Sequence, residues 1–182
     1  MAIDPVSLYS KAKKIRLLIL DVDGVLTDGR IVYNQKGEQI HFFHVHDGFG
    51  IKLLLKAGLN VSVISARKSP ALSFRATELG IEKLYAGVKD KPAVYMTLLK
   101  ELCLGDEEVC YVGDDWLDIP LLKKAGLSVT VPGAAHPVKD FVHYVTSRPG
   151  GSGAVREVCD LILKAQDRWT DFLSSTAGFP ES

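Results

Sequence analysis

The sequence predicts an α/β fold, a Rossmann-like three-layer arrangement with a parallel sheet between helices. It adds a small β-hairpin after the first strand and no cap domain. Three observations predict this. Short apolar runs alternate with longer amphipathic ones along the 182 residues, the βα rhythm that builds parallel sheets. The short runs are continuous Val, Ile and Leu, as in strands buried on both faces. Gly58, Gly80 and Gly126 each follow a helical pattern, where helices commonly stop.

The first strand is read at 15–20, a greasy run that ends at a carboxylate. Residues 29–46, GRIVYNQKGEQIHFFHVH, break the alternation. Their two β-rich arms flank Asn34-Gln35-Lys36-Gly37, a hairpin signature. From there the pattern gives a helix at 48–57, a strand at 60–65, a helix at 70–79 and a strand at 83–85. A helix at 91–102, a strand at 109–112 and a helix at 119–125 follow. The chain closes with a strand at 128–130, a short turn at 137–141, a brief strand at 144–145 and a helix at 154–169. One domain over 1–169 is expected. Residues 170–182 are polar, with Gly178 and Pro180, and are expected to form a flexible tail.

A chain of this length buries roughly 70% of its unfolded surface and needs no staples. Its 22 basic and 22 acidic residues cancel. With no basic run, this argues against nucleic-acid binding. No apolar stretch approaches the roughly 20 residues of a membrane span, and the N-terminus lacks the layout of a secretion signal. Cys103, Cys110 and Cys159 are odd in number and widely spaced. They read as reduced thiols of a cytoplasmic protein.

The chemistry lies where strands end. Asp21 and Asp23 follow the first strand, and Asp114 and Asp115 follow VCYVG, with Asp118 one turn on. Ser65 ends NVSVIS, and Lys91 opens a helix in KDKP. Ligands of open α/β sheets bind at the carboxyl ends of the strands, so neighbouring strands would bring these groups into one small volume. Asp21, Asp23 and Asp114 would repel one another there and raise at least one pKa. A hard divalent cation relieves the repulsion, and an all-oxygen set with few carboxylates suits Mg²⁺ carrying water and a substrate phosphate. Lys91 adds positive charge, Ser65 a hydroxyl donor, and Gly24 and Gly113 close backbone approach.

DVDGVLTDG, VISAR, KDKP and GDDWLD, in this order and spacing, resemble the four motifs of the haloacid-dehalogenase superfamily of phosphohydrolases across nearly the whole chain. The resemblance implies Asp21 as nucleophile, forming an aspartyl-phosphate. It implies Asp23 as general acid and then base. Mg²⁺ would be held by Asp21, Asp114 and the Asp23 main-chain carbonyl. Ser65 and Lys91 would cradle the phosphoryl oxygens, and Asp118 would hold Lys91 or a metal-bound water from behind. Asp115 receives no role.

Many superfamily members carry a cap domain. Between Asp21 and Ser65, and between Ser65 and Lys91, there is less than the roughly 50 residues that an independent domain needs. The hairpin is the only lid available. It carries Ile31, Val32, Tyr33, Ile40, Phe42 and Phe43, and a two-stranded hairpin is marginal alone. It either folds back on its own core or joins subunits. Capless relatives are tetramers, which favours a homo-oligomer, a tetramer through the hairpin.

Two glycine-bearing stretches bear on the substrate. DGFGIK places Asp47 at a helix start, and RPGGSGAVRE puts a glycine turn before the last helix, with Arg148 and Arg156 close by. Helix N-termini of this kind favour anions. Together the two stretches look like the branch of the superfamily that acts on 3-deoxy-D-manno-octulosonate 8-phosphate in lipopolysaccharide precursor synthesis. That resemblance implies a phosphorylated sugar acid as the small-molecule partner, with Arg67, Arg75, Asp47 and Arg156 in substrate binding, since guanidinium groups pair well with carboxylates. Ala66 stands where that branch often has Gly. The alternatives are a nine-carbon (sialic acid or KDN type) sugar-acid 9-phosphate as substrate, a receiver-type signalling domain, or a silent assembly module. His44 and His46 are read as sharing a strand face, in packing or substrate hydrogen bonding rather than metal binding. Trp116 and Trp169 are read as packing residues.

Overall fold

The computed structural model describes residues 4–170. Of the expected tail, all but Thr170 lies outside them. The sheet is six-stranded and fully parallel, in the order β5-β4-β1-β6-β7-β8. Its strands are β1 (Leu17–Leu20), β4 (Asn60–Ser65), β5 (Lys83–Ala86), β6 (Val109–Val112), β7 (Leu127–Thr130) and β8 (Tyr144–Val145). The chain moves from β1 outward to β5, then returns to the other side of β1 to lay down β6. The order therefore reverses between β1 and β6, where open α/β sheets form their crevice. Leu20 is level with Val63 on one side and Val112 on the other, so Asp21, Ser65 and Asp114 emerge from one edge.

Side chains of β1 alternate between two apolar layers, as strand geometry requires. Leu18 and Leu20 pack with Val61, Val63, Cys110 and Val112 against α2 (Val45–Lys56), α3 (Pro70–Leu79) and α6 (Ala154–Ala165). Leu17 and Ile19 join Ile64, Tyr111, Tyr95 and Leu98 beneath α4 (Lys91–Leu102) and α5 (Ile119–Leu122). All four β1 side chains are fully buried, each stabilising the fold by about 1.5–3 kcal/mol. The two layers explain why the strands lack alternation.

The hairpin forms as a separate two-stranded sheet of β2 (Val32–Tyr33) and β3 (Gln39–Ile40). Its turn is organised by Asn34, whose side-chain oxygen accepts from the Lys36 and Glu38 amides. It is shorter than the 29–46 expected from sequence. After Ile40 the chain leaves the ladder, and α2 starts at Val45 rather than at Gly48. His44 and His46 thus do not share a strand face: His44 immediately precedes α2 and His46 is within it, their rings edge to face at 5.1 Å. No cap domain is present among the described residues.

Further departures concern helix ends. An unanticipated α1 (Pro5–Lys13) precedes β1, with the Asp4 carboxylate accepting from the Val6 and Ser7 amides. α5 spans only four residues, after a 3₁₀ turn at Trp116–Asp118. α6 ends at Ala165. Gly58 and Gly80 have positive φ at their helix ends. Gly126 does not, because it serves close approach instead: a Cβ there would lie 2.5 Å from the Glu107 main chain. Trp116 is 62% exposed, its indole donating to the His136 carbonyl, so it is not a packing residue. Trp169 does pack against the core. No helix among the described residues is long and apolar enough to cross a membrane.

Candidate active site

Lys91 opens α4, which the Asp90 side chain caps at the Ala93 amide. This start aims the Lys91 side chain inward, where it is 6% exposed. Its ammonium donates to Asp21 Oδ1 at 2.6 Å and to Asp118 Oδ1 at 2.7 Å. Asp118 Oδ1 also accepts from the Tyr111 hydroxyl at 2.6 Å, while Oδ2 takes the Asp114 and Asp115 amides at 3.0 and 3.2 Å. Four donors therefore fix Asp118, and it fixes Lys91 and the Asp114 loop in turn.

Asp21, Asp114 and Asp118 bring carboxylate oxygens within 4.8 Å of one another. Asp114 Oδ1 is buried and has no hydrogen-bond partner. Burial, then the Asp118 charge, pushes Asp21 up to about 7, against the pull of Lys91. Burial, then Asp21, Asp118 and Asp115, pushes Asp114 up to about 7 as well. Burial opposes the Lys91 ammonium, but Asp21 and Asp118 outweigh it and hold its pKa above the ordinary value. Three carboxylates facing one ammonium leave excess negative charge that a divalent cation would neutralise. The residues fit such an ion at Asp21 and Asp114. Asp118 is near enough but has no oxygen free, which leaves it the outer, orienting role.

At the rim, Asp23 is half-buried, with Arg67 Nε 3.7 Å from its Oδ2. Ser65 is buried, and its oxygen accepts from the Arg67 amide at 3.1 Å, leaving the hydroxyl proton to donate. The remaining predicted residues stand apart from the carboxylates. Arg75 lies on α3, paired with Glu78 at 2.7 Å and packed where a Gly48 side chain would be. Asp47 is 1% exposed and commits its oxygens to the Gly153 and Arg156 amides at the start of α6. Burial raises its pKa. The Arg156 guanidinium pairs with Asp160 at 2.7 Å. It lines a cleft of about 580 Å³ with His44, His46 and Arg148 that includes none of the clustered carboxylates.

Two residues escaped the sequence reading. Tyr111 sits mid-strand, where a tyrosine reads as core. Only its alternation with Cys110 and Val112 hints that it faces the α4 side. Thr27 stands inside the first motif and is buried. Its Oγ1 donates to the Val22 carbonyl and accepts from the Gly24 and Gly29 amides, closing the loop behind Asp21.

A family model described as haloacid dehalogenase-like hydrolase matches residues 67–157. A Yersinia pestis protein named 3-deoxy-D-manno-octulosonate 8-phosphate phosphatase is 48% identical over 87% of this chain and 84% of its own.

The chain belongs to the haloacid dehalogenase-like hydrolase family.

Solved structures extend the likeness. The 3-deoxy-D-manno-octulosonate 8-phosphate phosphatase of Moraxella catarrhalis, in complex with magnesium, phosphate and KDO, superposes with a TM-score of 0.92. It is 38% identical and covers 94% of this chain and 99% of that one. The cobalt-bound Haemophilus influenzae phosphatase has a TM-score of 0.85 at 42% identity, over 92% and 96% of the two chains. In this haloacid dehalogenase-like hydrolase the clustered carboxylates lie at the β1/β6 crevice.

Proposed function

We propose that this chain is a Mg²⁺-dependent phosphomonoesterase that hydrolyses 3-deoxy-D-manno-octulosonate 8-phosphate to the free sugar acid and phosphate, in lipopolysaccharide precursor synthesis. The observation that carries the chemistry is the buried Asp21–Lys91–Asp118 chain beside the unpartnered Asp114 oxygen. The substrate rests on relatives that bear that name at 46–48% identity.

Asp21 attacks phosphorus. Its new O–P bond forms as the ester O–P bond breaks, and Asp23 gives its proton to the departing sugar oxygen. Asp23 then takes a proton from water, whose oxygen bonds to phosphorus as the Asp21 O–P bond breaks, releasing phosphate and restoring the Asp21 carboxylate. Lys91 and Ser65 offset charge on the phosphoryl oxygens. A Mg²⁺ held by the Asp21 and Asp114 carboxylates and the Asp23 main-chain carbonyl would polarise the phosphoryl group and keep both carboxylates ionised. Arg67, at the rim beside Asp23, would meet the sugar-acid carboxylate. Arg75 and Arg156 lie further out, and Asp47 acts by holding α6.

The nine-carbon sugar-acid 9-phosphate remains the competing substrate. A receiver-type domain would not need Asp23 as a proton donor. A silent assembly module would not need the intact cluster. The protein is taken to act in the cytoplasm, as a homo-tetramer through the hairpin. The exposure of Tyr33 and Phe42, both 62%, supports a partner on that face.

Phosphate release across eight- and nine-carbon sugar-acid phosphates and neutral sugar phosphates tests the reading. The eight-carbon substrate is expected to lead, with activity abolished by EDTA and by Asp21→Asn. Preference for neutral sugar phosphates would remove the substrate, and full activity in EDTA would remove the chemistry.

A further inference from the structure

We infer that the glycine turn at 149–153 positions the nucleophile loop, with Gly150 setting the distance; the inference rests on the phosphatase reading and deepens it. A Cβ on Gly150 would lie 1.7 Å from the Gly24 carbonyl oxygen and 3.1 Å from that of Thr27. Beside it, the Gly151 amide donates to the Val25 carbonyl at 2.9 Å, and a Cβ there would meet Thr27 and Asp28 main chain at 2.5 Å. Gly24 also meets the Asp114 carboxylate: a Cβ there would lie 2.0 Å from Asp114 Oδ2. Gly24 thus touches both the turn and Asp114, its main chain close to glycine main chain and to a carboxylate.

The turn is itself anchored at both ends. Glu157 accepts from the Ser147 and Arg148 amides at 2.8 and 3.0 Å and from the Tyr144 hydroxyl at 2.6 Å. Asp47 holds the Gly153 and Arg156 amides. Such a turn cannot give way when pushed, because packed interiors are stiff. An added methyl at 150 must move the Gly24 loop, and with it the spacing between Asp21 and Asp114. Metal sites tolerate only a few tenths of an ångström. Gly150 and Gly151 are positioning residues, and the anion-binding use suggested by their sequence is not needed to explain them.

The test is Mg²⁺ binding to the full chain by calorimetry without substrate, alongside kcat, KM and a melting curve. Gly150→Ala is expected to weaken Mg²⁺ binding roughly 10- to 100-fold, the range for outer supports of a metal site, and to lower kcat with KM little changed. Gly58 also has positive φ, but it lies outside the turn and a Cβ there meets nothing within 4 Å. Gly58→Ala is expected to lower the melting temperature without moving Mg²⁺ affinity. If Gly150→Ala does not fold, Glu157→Gln decides: it loosens the same turn from outside and should weaken Mg²⁺ binding several-fold. Unchanged affinity in a folded Gly150→Ala, or in Glu157→Gln in its stead, overturns the inference. Equal weakening in Gly58→Ala overturns it as well. A wild type that binds no Mg²⁺ removes the phosphatase reading itself.

Discussion

Asp114 and Asp118 are four residues apart and opposite in condition. Asp118 has every lone pair directed at a donor, whereas Asp114 keeps a buried oxygen with none. An uncompensated buried carboxylate destabilises the metal-free protein, and the sign can be worked out. Asp114 is raised from 3.8 to about 7, so between those values the folded chain holds a proton that the unfolded chain has lost. Stability then falls as pH rises through that window. Asp114→Asn should therefore melt higher than wild type at pH 8 in EDTA, match it near pH 4, and lose the stabilisation that Mg²⁺ gives wild type. Thermal melts with and without Mg²⁺ check this, and a lower melting point at pH 8 in EDTA would contradict it. The clustered residues were legible because each stands at a strand end or helix start. Tyr111 was not, because a strand tyrosine carries no mark that its hydroxyl meets a carboxylate.

Among the elements, α6 shows how a buried acid can serve structure. Asp47 supplies from α2 the acceptors that Gly153 and Arg156 lack in their own helix. Asp47→Ala should cost about 1–2 kcal/mol, as for a lost cap, read as a lower denaturation midpoint. No change would mean that water replaces the carboxylate. Sequence placed this aspartate at a helix start but offered it to substrate, since nothing in DGFGIK shows that α6 docks there. α1 was legible in principle, from an Asp cap followed by proline, but its polar surface hides the period. HVH reads as strand because it alternates, yet α2 claims it.

For the whole molecule, strand identity could be read from the runs, but strand order could not. No local pattern tells β6 to return beside β1, and that return creates the site. Assembly is equally a property of the whole. If hairpins join subunits, the double variant Tyr33→Glu, Phe42→Glu should run at monomer mass in light scattering, and an unchanged mass would place the interface elsewhere. Because β1 is clasped by β4 and β6, and its following loop is backed by a turn more than a hundred residues downstream, the proposed nucleophile is synthesised long before the parts that support it. A nascent chain emerging from the ribosome carries Asp21 more than a hundred residues before Gly150, yet it has no tool for phosphate esters until residues beyond Gly150 have left the tunnel. Catalytic competence thus arrives together with the finished fold.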